Sequence, residues 1–111
     1  MNPDDLASRN CTACEGGVPP LDAQTVARML AELDDWQLED GTAIRRRFEF
    51  KGFARAVEMA NLAAWLGNRQ AHHPDVTFGW GYCEVRFTTH AAGGLTENDF
   101  ICAARLNALL A

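Results

Sequence analysis

All three histidines of this chain fall between positions 72 and 90: His72 and His73 stand side by side before Pro74, and His90 closes a later apolar run. An imidazole with an ordinary pKa near ~6.5 gives or takes a proton at neutral pH without special burial. Three of them converging on one patch of a small domain would make a proton-transfer site. The residues admit three readings. In the plainest, His72 and His73 cap a helix end, where a cation near the carbonyls gains about 0.3–1 kcal/mol, and His90 is a polar loop residue. In the second, the rings hold a metal, although adjacent histidines chelate awkwardly and no carboxylate or thiol completes an obvious set. In the third, they are the acid and base of a metal-free reaction. Asp99 is equally open. Thr96-Glu97-Asn98-Asp99 fits a capping box, and a carboxylate there could also fix the tautomer of His90. Trp80 and Tyr82 could be core, or could stack on a flat heteroaromatic ligand.

The elements that must position these residues follow from periodicity. Asp22 is a helix cap, followed by Val26, Met29, Leu30 and Leu33 at helical spacing. Trp36 to Glu39 reads as a short strand, and Asp40-Gly41 is a hairpin signal. On the return strand Ile44, Phe48 and Phe50 alternate with Arg45, Arg47 and Glu49, so one face is dry and the other wet. From Gly52 to about Gln70 the period is helical, with Phe53, Val57, Ala60 and Ala64 as one stripe and Met59, Leu62 and Leu66 widening it. Pro74 requires that helix to end by His73. A second hairpin runs from Val76 through Trp80, turns at Gly81-Tyr82, and returns along Val85, Phe87 and Thr89. A closing helix starts at Thr96. The order α-β-β-α-β-β-α implies an α+β domain, a four-stranded antiparallel sheet with helices on one face. In an antiparallel hairpin the start of one strand lies beside the end of its partner, which brings His73 near His90.

A chain of 111 residues fits one domain, and a net charge of −5 argues against a phosphate-tracking surface. The one basic cluster, Arg45-Arg46-Arg47, would be split between the two faces of a strand. No nucleic-acid partner is expected. No stretch approaches the roughly 18 apolar residues of a membrane span, and the start of the chain lacks a signal-peptide pattern, so the expected location is the cytoplasm with thiols reduced. Residues 1–20 read as a mobile leader carrying a lone C-x-x-C pair, Cys11 and Cys14, which is weak as a zinc or redox motif. Residues 21–111 form the domain. Exposed sheet edges make a homodimer or homotetramer the natural expectation.

His72-His73-Pro74, Trp80, His90 and Asp99, together with Thr88-Thr89-His90 and the run Gly94 to Phe100, resemble the pterin-4a-carbinolamine dehydratases over nearly all of the chain after Pro20. The resemblance implies loss of water from 4a-hydroxytetrahydropterin to give quinonoid dihydropterin, recycling the pterin of aromatic amino acid hydroxylases, with no cofactor and no metal. By that likeness His72 and His90 are the acid–base pair and His73 orients the pterin. Asn68, Pro74 and Trp80 border the substrate, and Asp99 supports the loop or His90. Family members commonly carry an acidic or basic residue where Asn68 stands, and asparagine cannot titrate. The resemblance therefore also admits a non-catalytic module, pterin-binding or acting in the dimerisation of a transcription factor.

Overall fold

The computed structural model describes residues 6–12 and 18–110. Helix α1 (Ala23–Leu30) leads into strands β1 (Gln37–Glu39) and β2 (Ala43–Glu49). Helix α2 (Phe53–Gln70), strands β3 (Asp75–Gly79) and β4 (Tyr82–Phe87), and helix α3 (Glu97–Leu110) follow. The four strands form one antiparallel sheet in the order β1-β2-β4-β3. This is the α+β architecture, in the element order expected from periodicity. Asp22 caps α1, its carboxylate accepting from the Thr25 amide at 2.8 Å.

The strand pattern sorts the two faces. Ile44, Phe48, Cys83, Val85 and Phe87 point to the helices and are buried. The opposite face carries linked ion pairs: Arg86 joins Glu39 and Asp75, and Arg45 reaches Glu84 at 3.0 Å. Arg46, on the inward side, donates to Asn107 on α3 at 2.6 Å. The three consecutive arginines are thus split, as strand alternation requires.

Three local expectations shift. Trp36 precedes β1 instead of opening it; its ring is 6% exposed and its Nε1 donates to Asn107 at 2.9 Å. The β3–β4 turn is Trp80-Gly81, one residue earlier than expected, with Gly79 facing Tyr82 across the ladder. A two-residue hairpin turn needs a left-handed backbone, and Gly81 supplies it with a φ of 86°. The buried stripe of α2 is Ala56, Met59, Ala60, Ala63, Leu66 and Gly67, rotated from the stripe through Phe53, Val57 and Ala64. Phe53 is half exposed and lies against Phe78 at the β3 edge, with ring centroids 6.0 Å apart. Small residues, not the largest ones, mark the side pressed on the sheet.

Gly67 is where that closeness has a consequence. A Cβ on it would stand 2.6 Å from Cδ of Pro74, 3.3 Å from the His72 carbonyl oxygen and 3.4 Å from the His73 Cα. At an open helix position alanine gains about 1 kcal/mol over glycine. Here the obstacle is a rigid ring and backbone, so overpacking reverses the sign. Gly67→Ala should cost about 1–3 kcal/mol, read as a lower urea midpoint, and should push the His72-His73-Pro74 segment away from α2.

The leader also differs from expectation. Of its described residues, 6–12 pack on the body instead of standing free, while Val18, Pro19 and Pro20 are exposed. Leu6 is buried in the core cluster, and Arg105 of α3 holds the Arg9 carbonyl and, at 2.8 Å, the Asn10 side chain. Cys14 lies outside the described residues.

Candidate functional site

The end of α2 sets the first two histidines. Ala71 adopts a left-handed backbone (φ 51°), which lets the His72 amide reach the Gly67 carbonyl at 3.0 Å and the Ala71 amide reach that of Asn68 at 3.3 Å. These two bonds make a Schellman stop. The position is unusual, because an L-residue pays about 1–2 kcal/mol in that region. The stop turns the chain sharply, so consecutive His72 and His73 differ completely in environment: His72 is 9% exposed, His73 is open to solvent.

Beneath the stop lies a fully buried carboxylate. Asp99, 0% exposed in the first turn of α3, meets His72 Nε2 at 2.6 Å through Oδ1. Its Oδ2 accepts from the Thr89 hydroxyl at 2.8 Å and from the Thr96 amide at 2.9 Å. The Thr96 hydroxyl stands 2.9 Å from that of Thr89. Thr89 has one proton and gives it to Asp99, so Thr96 donates to Thr89. The capping-box reading of Asp99 therefore holds in its backbone half. Its second role falls on His72, not on His90 as expected. The His72 ring also stacks on Phe87, with centroids 6.1 Å apart.

Burial works against a charged His72, but the hydrogen bond from the ring to Asp99 and the carboxylate charge, with a smaller pull from Cys11, outweigh it and hold the pKa above the ordinary histidine value. The direction fixes a pH dependence. A histidine raised in the folded state contributes its stability in full below about pH 6.5, and loses it as pH rises through the folded pKa. The urea midpoint of the wild-type chain should therefore fall between about pH 6 and about pH 9, whereas a His72→Asn chain should show no such fall over the window.

His90 opens a short 3-10 turn, His90–Ala92, directly after Thr89, and is exposed. It thus stands one residue from the hydroxyl that shares Asp99 with His72, at the same end of the sheet as His73 and Pro74. Asn68 is exposed on the last turn of α2 at this end. Trp80 is not. It sits 74% exposed in the turn at the far end of β3, seven residues beyond His73 with the whole strand between them. The expectation that it walls the histidine pocket fails within one chain, because β3 separates the two. Among the described residues, no three His, Cys, Asp or Glu side chains are grouped to hold a metal.

Thr89 reads from the sequence as a strand position and as part of the family resemblance, but neither it nor Gly67 is given a role in the site. The signal for Thr89 was available: it continues the inward parity of Cys83, Val85 and Phe87, all buried, and a hydroxyl there must find a partner. Gly67 has no comparable signal, since its role depends on Pro74 folding back across α2.

The fold is that of a small α+β protein, with a carboxylate-anchored imidazole, His72, and two exposed ones, His73 and His90, at the same end of the β3–β4 hairpin. The profile of the Pterin 4 alpha carbinolamine dehydratase family matches residues 19–109, and the chain belongs to that family. It is 45% identical to a protein of Nitrosospira multiformis over 96% of this chain and 93% of that one. It is 42% identical to one of Methylococcus capsulatus over 100% and 98%. Both relatives are named, provisionally, pterin-4-alpha-carbinolamine dehydratases. Among solved structures, the transcriptional coactivator/pterin dehydratase from Brucella melitensis matches with a TM-score of 0.75 and 33% identity, covering 83% of this chain and 99% of that one. A pterin dehydratase-like RuBisCO assembly factor of the alpha-carboxysome shares the fold at a TM-score of 0.55 and 23% identity, covering 68% of this chain and 88% of that one.

Proposed function

We propose that this chain catalyses the loss of water from pterin-4a-carbinolamine by general acid–base catalysis with histidine, regenerating a dihydropterin for aromatic amino acid hydroxylation. Family membership supports the reaction. The observation that carries the mechanism is the 2.6 Å contact of His72 with a fully buried Asp99 at the sheet end that also presents His73 and His90. The nitrogen beside the carbinol carbon expels the hydroxyl group, which leaves as water once an acid protonates it, and the proton on that nitrogen passes to a base. Each positioned transfer contributes typically about 10²–10⁴-fold.

Exposure divides the roles. His73 and His90 are the rings open to a ligand, so they form the proton-transfer pair. His72, nearly covered, is held in one orientation by Asp99 and acts as a positioning residue for the segment that carries His73. This moves His72 from the acid–base pair expected from the resemblance to a positioning role. Asn68 and Pro74 border the pterin, and Asn68 offers hydrogen bonds without charge. The protein works in the cytoplasm as a homodimer or homotetramer paired through its sheet edges.

The decisive experiment follows ultraviolet absorbance as freshly generated carbinolamine dehydrates, with and without the purified chain. A catalysed rate many-fold above background supports the reading. A second reading, a non-catalytic pterin-binding or assembly module, rests on the uncharged Asn68 and on the coactivator half of the Brucella protein's description. Tight pterin binding without turnover would favour it.

A further inference from the structure

Outside the histidine site, two thiols far apart in sequence meet. Cys11, in the leader, places its Sγ 3.4 Å from Sγ of Cys102 on α3. The contact is built from several sides. The Cys11 amide donates to Gln70 Oε1, the last side chain of α2, at 2.8 Å. The Asn98 carboxamide clasps the next residue twice, accepting from the Thr12 amide at 3.1 Å and donating to its carbonyl at 2.7 Å. Cys102 is fully buried, while Cys11 is partly open.

From this geometry we propose that Cys11 and Cys102 form a disulfide-forming site, oxidised by low-molecular-weight disulfides of the glutathione type, that locks the leader onto α3. The sulfurs need to close by only about 1.4 Å to reach bonding distance. Cys11 is the attacking group. Its sulfur displaces one thiolate from the small disulfide, its proton leaves with that thiolate, and a mixed disulfide remains. The sulfur of Cys102 then attacks Cys11 Sγ, releases its proton to the second departing thiolate, and completes the bond. The cysteine pair is oxidised by two electrons, and one small disulfide becomes two thiols. The electrostatics agree with the order of attack. The hydrogen bond from Cys102 pulls the Cys11 thiol below its ordinary pKa against the cost of burial, and the same bond, with burial, pushes Cys102 up. The staple lands beside the Asp99 turn of α3 but uses none of the residues assigned to proton transfer, so it stands or falls separately from the proposed dehydratase activity.

The test uses the whole chain and oxidised glutathione. Native protein is incubated, remaining thiols are alkylated, and peptides are mapped by mass spectrometry. The expected result is a Cys11–Cys102 cross-link with Cys83 left alkylated. It should form at least about tenfold faster in native than in urea-unfolded chain, because the fold holds the thiols together. Cys14→Ser should retain the cross-link, and the oxidised Cys14→Ser chain should melt at least about 5 °C above its reduced form, since the closed loop spans most of the chain. A Cys11–Cys14 product in the wild-type chain, a Cys14→Ser chain that stops at the mixed disulfide, or equal rates in native and unfolded protein would each overturn the proposal.

Discussion

Replacing His90 by alanine should slow carbinolamine dehydration by about 10²–10⁴-fold, with His73→Ala in the same range. Both side chains are exposed and neither is part of the Asp99 network, so their loss should leave the urea midpoint nearly unchanged. A kcat effect without a stability effect separates a proton-transfer group from a structural one. If the two rings act as a unit, the double variant should be little worse than the weaker single one. A rise in KM alone, with kcat intact, would instead make either ring a binding group.

Asp99→Ala should have the largest effect on stability. It removes the acceptor of three donors at once: the His72 ring, the Thr89 hydroxyl and the Thr96 amide. Breaking a buried pair strands the remaining partner, at a cost of about 3–5 kcal/mol. Set against a typical domain stability of about 5–15 kcal/mol, that is a large share of the total. Equilibrium urea unfolding checks it, and a loss below about 1 kcal/mol would contradict the description of Asp99 as the anchor. Asp99→Asn keeps the volume but offers an amide group to donors on one side, so it should fall between wild type and alanine. The pH-dependent fall in urea midpoint expected of the wild-type chain should vanish in both variants, because the carboxylate that raises the His72 pKa is gone.

Much of the fold was legible because its signals are local. The alternation of Ile44 with Arg45 and of Val85 with Arg86, the Asp22 cap and the stop before Pro74 each depend on a few neighbouring residues. The stripe of α2 was harder. Periodicity weights large apolar side chains, yet beside Met59 and Leu66 the buried face of α2 is Ala56, Ala60, Ala63 and Gly67, small residues selected by how closely the helix must approach. The site was half legible. That the histidines gather at one end of a hairpin followed from strand pairing. Which imidazole Asp99 would hold did not, because that depends on the left-handed Ala71 turning His72 inward and His73 outward. Trp80 was misplaced for a simpler reason: alternation with Phe78 extends the strand by one residue, and only the pairing of Gly79 with Tyr82 shows where the ladder ends.

The dehydration rate of chelator-treated protein, measured beside a His73→Ala/His90→Ala double variant of unchanged urea midpoint, tests the central claim most directly. The account predicts a chelator-resistant catalysed rate for the wild-type chain and a rate lower by at least about 10²-fold for the double variant. Near-wild-type turnover by the folded double variant would contradict it.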